Sequence, residues 1–268
     1  MARRYRLAEA ADVPRMGEIR SAVPLRQHAV ARGEEEGSAV TAGTSVRGGF
    51  LLGSSAEVYG HYVEQGCVMV AEARGVVVAY SVVLPDSLLR LSDVYAKRHA
   101  AGLPAALLQR LERSQVAYFD QLAALPGSGV VAAGLAYHHL VDAFWDHDAV
   151  LATTVLEPVE NRAAVPLLHA IGFVPVGEID EEYPVVGRLR SRVYAAERAA
   201  VAAVRATPLA QRYERRIALA PARAAKRAAM RAAMRAAMRA AKEAAKEAVP
   251  EEELPPPSTR EPVVPSST

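Results

Sequence analysis

The residues best suited to chemistry lie between Val116 and His147. Asp120 sits inside an apolar run, Val116 to Leu125 ("VAYFDQLAAL"), that reads as a strand. A carboxylate on a central strand needs a partner, a water or a task. One task is to take a proton from a substrate, and the alternative is a structural hydrogen bond to a loop. Strand alternation places Tyr118, Asp120, Leu122 and Ala124 on one face. Pro126-Gly127-Ser128-Gly129 follows the strand at once, and the next stretch, "VVAAGLAYHHLVDAFWD", reads as a helix. Strand, glycine turn, helix is a layout that binds phosphate, because N–H groups at a helix N-terminus point at an anion and carry partial positive charge. Within that helix His138, Asp142 and Asp146 recur at four-residue spacing, with His139 and His147 nearby. No second helix carries a matching cluster, so the stretch reads as a charged helix surface and no metal site is expected. Phe144 and Trp145 read as packing residues. Cys67 has no basic neighbour in sequence and reads as inert.

These residues need a scaffold. Tyr5 to Ala8 reads as a first strand, and Asp12 is expected to cap a helix whose apolar face is Val13, Met16, Ile19 and Val23. Residues 33–49, rich in Gly, Ser, Thr and Glu, read as a loop. Ser54 or Ser55 caps a second helix, with Val58, Tyr59 and Tyr62 toward the core. Val68–Glu72 and Val76–Val83 form a hairpin about Ala73-Arg74-Gly75, closed by Pro85-Asp86-Ser87. Leu88 to Arg113 looks helical, broken near Gly102-Leu103-Pro104. After the glycine turn and its helix, Val150 to Val155 reads as another strand. Asn161 then opens a short helix with Ala164, Leu167, Leu168 and Ile171 on one face. Gly172 stops it, as glycine does where the chain turns left-handed. Phe173, Val174 and Val176 begin a strand, and Leu189 to Glu197 reads as the strand that closes the sheet.

Composition sets the outer limits. The chain has 268 residues and is 51% hydrophobic, much of it C-terminal alanine. A single cysteine excludes an internal disulfide, which suits a reducing cytosol. The N-terminus has no signal-peptide pattern and no run reaches the ~18 apolar residues of a membrane span. A cytoplasmic protein is expected. The net charge of +2 hides an asymmetry: residues 212–247 carry eleven Lys/Arg against three Asp/Glu, and residues 251–268 one Arg against four Glu. Arg227 to Glu247 repeats in fours, "RAAM" three times and then "RAAKEAAKEA". These are good helix formers. The four-residue repeat drifts ~40° per step, too far from a 3.5-residue period for a coiled coil. Pro250 ends the helix, and the rest reads as a disordered tail. The basic helix could meet nucleic acid or an anionic surface, but it lacks interleaved aromatics, and a solvated helix is the alternative. No membrane partner is expected.

The stretch Asn161–Gly177 resembles the closing half of the GNAT superfamily of acyl-CoA-dependent N-acetyltransferases. Asn161, Ala164, Leu167, Gly172 and Phe173 fit that pattern at every spacing. The resemblance covers about residues 4–197. It implies an α/β (α+β) GNAT fold: a mixed, mostly antiparallel central sheet of about seven strands flanked by helices, here with an Ala-rich helix appended. The domains are then 1–197, the acetyltransferase-like unit; 198–249, a basic Ala/Arg-rich extension; and 250–268, an acidic, Pro-rich tail. The implied reaction moves an acetyl group from acetyl-CoA to an amine of a small molecule or peptide. The implied cofactor residues are Ala124, Leu125, Gly127, Ser128, Gly129, Val130, Val131 and Ala132, with Asn161 beside the pantetheine while also capping its helix. A backbone N–H near Ala124 or Leu125 faces the thioester. The family's turn carries Arg or Gln where this chain has Pro126, and a small residue where it has Val131, whose bulk is expected to crowd the cofactor. A carboxylate in some members sits near Tyr118, which makes Tyr118 and Asp120 the catalytic candidates. The family's frequent general acid, a tyrosine, is replaced by Leu168, leaving proton return to water, His169 or another tyrosine. The alternatives are a catalytically weak acyl-CoA-binding protein of the same fold, or a nucleic-acid-associated protein acting through residues 212–247.

Overall fold

Strand pairing around one buried strand organises the molecule. The computed structural model describes residues 3–22, 44–46, 54–157, 159–183, 187–207 and 210–211. All fall in the first of two compact units, Met1–Ile217. The expectations for Val23, most of 33–49, the repeat helix and the tail lie outside the described residues. The strands are β1 (Arg3–Leu7), β2 (Thr44–Val46), β3 (Val68–Ala73), β4 (Val76–Leu84), β5 (Val116–Ala124), β6 (Ala149–Glu157), β7 (Val159–Asn161), β8 (Val174–Tyr183) and β9 (Gly187–Glu197). The helices are α1 (Val13–Ser21), α2 (Ala56–Glu64), α3 (Asp86–Leu89), α4 (Asp93–Ala96), α5 (Ala105–Arg113), α6 (Gly129–Ala143), α7 (Ala164–Ala170) and α8 (Arg198–Arg205).

Seven strands form one mixed sheet in the order β1-β3-β4-β5-β6-β9-β8, and its one parallel pair is β5–β6. The β3–β4 hairpin forms where the sequence places it. Arg74 and Gly75 both take left-handed backbone (φ 56° and 79°), the pair of conformations that matches strand twist in a two-residue turn. Both sheet faces are covered. On one, α1, α2 and the α3–α5 excursion bury Met16, Ile19, Tyr59, Leu89, Leu107 and Leu111 against the strands. On the other, α6, α7 and α8 bury Leu135, Tyr137, Leu140, Leu168 and Val201. A sheet buried on both faces needs apolar side chains in both directions, which explains the unbroken runs in β3 and β4.

Three local readings change. Residues 33–49 are not all loop, because Thr44–Val46 pairs in parallel with Val159–Asn161 as a small second sheet. Asp12 does not cap α1. Its carboxylate accepts from both Arg6 guanidinium ends (2.6 and 2.9 Å) and from the Glu9 amide, and Arg6 holds it below the usual carboxylate range. Val58 is 37% exposed, so the inward face of α2 is carried by Tyr59 with Tyr62 and Val63. Gly172 has φ +99° and ends α7 as expected, and α8 packs directly over it. Among the described residues no helix is long and apolar enough to cross a membrane.

Candidate active site

The parallel pair at the centre of the sheet is only four rungs long. Val116, Ala117, Tyr118 and Phe119 pair with Ala149, Val150, Leu151 and Ala152, and there the pairing stops. Beyond it β5 stays with β4 as far as Ala124↔Ala79, while β6 stays with β9 as far as Glu157↔Arg190. Two strands held by different outer neighbours leave a V-shaped gap between them. The cause of the divergence lies in β5. Gln121 pairs with Val82 but Phe119 pairs with Val83, so Asp120 is an extra residue, a bulge that bends the strand.

The bulge also reassigns faces. Alternation groups Tyr118, Asp120, Leu122 and Ala124, but only the first two stay together. Tyr118, Ala123 and Leu125 pack on the α1–α2 side, whereas Leu122 and Ala124 pack on the α6 side. Asp120 and Gln121 both face α2, since the extra residue puts two successive side chains on one face.

Backbone donors follow the same logic. The Leu125 N–H donates to Val78 O at 2.9 Å. Ala124 is the neighbouring pair, so its N–H points away from β4 and into the gap, and Leu122 does likewise two residues earlier. Of the two amides expected to face the gap, Leu125 is therefore committed to β4 and Ala124 is not. At the end of β5 the chain bends through Gly127 (φ +80°) into α6. The Val131 and Ala132 amides both donate to Ser128 O (2.9 Å each), so they are engaged within the first turn of α6. The amides of Gly127, Gly129 and Val130 have no partner among the described residues. A Cβ added at Gly127 or Gly129 would meet nothing within 4 Å, so the bend faces open space. Val131 does not crowd it. Its side chain is buried with Tyr5, Met69 and Leu135, and the exposed valine is Val130. Asn161 ends β7, and its Oδ1 accepts from the Ala164 N–H at 3.4 Å, closing the first turn of α7.

Side chains near the bulge form one polar network, buried at Tyr59 and Tyr80 and half-buried at Asp120, Gln121 and Ser54. Burial pushes the Asp120 carboxyl up to about 6, and a hydrogen bond from Gln121 opposes the rise. Gln121 Nε2 donates to Asp120 Oδ2 (3.0 Å) and Ser54 Oγ (3.1 Å), while Gln121 Oε1 accepts from the Tyr59 hydroxyl (2.7 Å). The Tyr59 and Tyr80 hydroxyls lie 2.8 Å apart. Arg20 on α1 donates to the Ser54 carbonyl. Sequence reasoning missed Tyr59, Tyr80 and Gln121 as site residues. The available signal was two polar-tipped groups, Tyr80 and Gln121, inside otherwise apolar strands. Tyr118 is 6% exposed and its hydroxyl lies 2.7 Å from Thr153 Oγ1, the first residue of β6 beyond its pairing with β5. It pins the apex of the gap. Toward the far end of β6 lies a cleft of about 530 Å³, lined by Lys97, Glu157, Glu178, Asp180, Arg188 and Arg190 among others.

This is the GNAT fold. The deciding observation is the strand order with a single parallel pair opened by a bulge, over a glycine bend and helix, followed by the Asn161 turn and the Gly172-Phe173 strand. No family model and no curated protein matches the sequence. Among solved structures, an agmatine N-acetyltransferase mutant in its apo form aligns with TM-score 0.49 and 12% identity over 74% of this chain and 100% of that one. A Drosophila melanogaster polyamine N-acetyltransferase aligns at 0.46 and 12%, over 73% and 99%. The NatC complex bound to Gag peptide and CoA aligns at 0.44 and 14%, over 74% and 99%.

Most of the remaining candidates are packing groups. His138 and His139 are buried, not on a charged surface: His138 stacks near Tyr5, and His139 Nδ1 lies 2.7 Å from Ser81 Oγ. Phe144 is buried, but Trp145 is 73% exposed and is not a packing residue. Burial pushes the Cys67 thiol up to about 12, in keeping with an inert cysteine. Leu168 is buried in the α6–α8 core, and His169 Nδ1 donates to the Phe173 carbonyl at 3.2 Å. A nitrogen engaged there is poorly placed to return a proton in the gap.

Proposed function

We propose that this chain is an N-acetyltransferase that moves the acetyl group of acetyl-CoA to an amine of a small molecule or peptide. One observation carries the reading: the opened β5–β6 pair turns the Leu122 and Ala124 amides into a gap that ends at an open glycine bend. The diphosphate of coenzyme A is held at the bend by the Gly127, Gly129 and Val130 amides, because successive N–H groups at a helix start attract an anion without any basic side chain. The pantetheine arm lies in the gap, with Asn161 at its side. The thioester carbonyl then accepts from a β5 amide, which also stabilises the oxyanion formed on attack.

An amine attacks only as the neutral base. Asp120, ionised above about pH 6, takes the ammonium proton directly or through one water. The neutral nitrogen attacks the carbonyl carbon, the oxyanion collapses, and the C–S bond breaks. The nitrogen's second proton leaves with the thiolate through water. Isothermal titration with acetyl-CoA tests the binding half, and release of free thiol with an amine panel tests turnover. Absence of binding at millimolar acetyl-CoA overturns the reading. A second reading, an acyl-CoA-binding protein with weak catalysis, is favoured by Leu168: an apolar core side chain stands where a hydroxyl acid would act. Steady thiol release at amine-dependent rates excludes it.

A further inference from the structure

We propose that Gln121 is a positioning residue that holds the Asp120 carboxylate in place, and that Tyr59 and Tyr80 brace the Gln121 amide in the orientation that does so. The inference rests on Asp120 as the proposed base and goes beyond it. Among the described residues, Gln121 is the one side chain that donates a hydrogen bond to Asp120. Its amide has two chemically different ends, and rotation by 180° would present oxygen to the carboxylate. The carboxylate, which only accepts, selects the N–H end, and the Tyr59 hydroxyl then donates to the amide oxygen. Each hydroxyl has a single hydrogen. The Tyr59 hydrogen goes to Gln121 Oε1, so Tyr80 must supply the one between the two hydroxyls. The donors run one way, from Tyr80 to Tyr59 to Gln121, and the last N–H ends on Asp120 Oδ2. The Ser54 hydroxyl takes the second Nε2 hydrogen. Tyr59 is held by α2, Tyr80 by β4 and Gln121 by the bulge, and Ser54 is the residue preceding the α2 cap, Ser55.

The bulge explains why the pair is adjacent in sequence yet on one face. An unbulged strand would send Gln121 to the α6 side, and no side chain would then donate to Asp120. The other titratable groups around the carboxylate are Tyr59 and Tyr62 on α2 and Tyr80 on β4, while Arg20 on α1 acts on both Tyr59 and Tyr80. Both α2 phenols and Tyr80 are pushed upward by burial, so they stay neutral donors when the carboxylate ionises.

The test uses the full chain and follows the Asp120 side-chain carboxyl by carbon-13 NMR against pH. Gln121→Met removes the donor at nearly constant volume, and the Asp120 midpoint rises by about one pH unit. Tyr59→Phe frees the amide to rotate and raises the midpoint by less. The acidic limb of kcat/KM moves with the midpoint while the KM for acetyl-CoA is unchanged, a split that mere loss of stability does not give. Gln121→Glu, close in shape, covers the case in which the methionine variant does not fold: two carboxylates then share a proton and the upper midpoint rises further. An unchanged Asp120 midpoint in folded Gln121→Met, or in Gln121→Glu, overturns the inference. Full turnover by Asp120→Asn would remove the base but leave the NMR titration free to decide the role of Gln121.

Discussion

At the scale of single residues, Asp120 is the carboxyl that burial pushes upward. Desolvation raises its midpoint to about 6. Two outcomes follow with opposite signs. Acetyl transfer should rise with pH through about 6, because the ionised carboxylate is the form that takes a proton, and Asp120→Asn should lower kcat/KM by roughly 10²–10⁴-fold. Stability should run the other way. Below about pH 4 the carboxyl is protonated in both folded and unfolded chains, so burial carries no ionisation penalty. Between about 4 and 6 the unfolded chain ionises first, and above 6 the folded chain bears the full penalty. Asp120→Asn should therefore melt above the parent at pH 8, by on the order of 2 kcal/mol, with the difference vanishing near pH 4. Paired melts at the two pH values check it. Asp120 itself is visible in the sequence as an acid in an apolar strand. Its partner is not, because a glutamine beside an aspartate is expected on the opposite face.

Among the elements, two glycines do separable work. Gly127 holds φ +80°, so Gly127→Ala should cost about 1–2 kcal/mol of folding stability and weaken acetyl-CoA binding together. Gly129 has no such backbone demand and only open space beside it, so Gly129→Ala should leave the melting temperature unchanged. It should nonetheless weaken acetyl-CoA binding, since the added methyl occupies the room given to the diphosphate. Calorimetric affinity and thermal melts of both variants separate the two effects. Gly177 tests how the α3–α5 excursion docks. A Cβ there would stand 2.2 Å from Ala101 O and 2.9 Å from Leu103 Cδ2. Gly177→Ala should destabilise by about 1–3 kcal/mol, read as a fall in melting temperature of several degrees, because a buried backbone oxygen cannot step aside.

For the whole molecule, the first compact unit ends at Ile217, and α8 belongs to its core through Val201 and its contact with Gly172. A chain truncated after 217 should bind acetyl-CoA within about twofold of the full chain, less than 0.5 kcal/mol apart. The same truncation removes most of the +8 arm. Any salt-sensitive DNA binding shown by the full chain should vanish with it, and binding that persists would separate the arm from nucleic acid. Filter binding across a salt series reads the outcome.

The sequence alone determined what short-range chemistry controls. Arg74-Gly75 turns a hairpin, Asn161 closes a helix turn, Gly172 stops that helix, and Gly127 bends the chain into α6; each depends on backbone conformations that the local residues favour. The glycine bend and the opened pair were legible as a pattern, through Asn161, Gly172 and Phe173. Tertiary structure decided which face each β5 side chain takes, which amides stay available, and who donates to Asp120. Those depend on the register between β4 and β5, where one extra residue shifts every later side chain to the opposite face. Register is set by packing on both sides of the sheet, and no stretch of β5 by itself contains it.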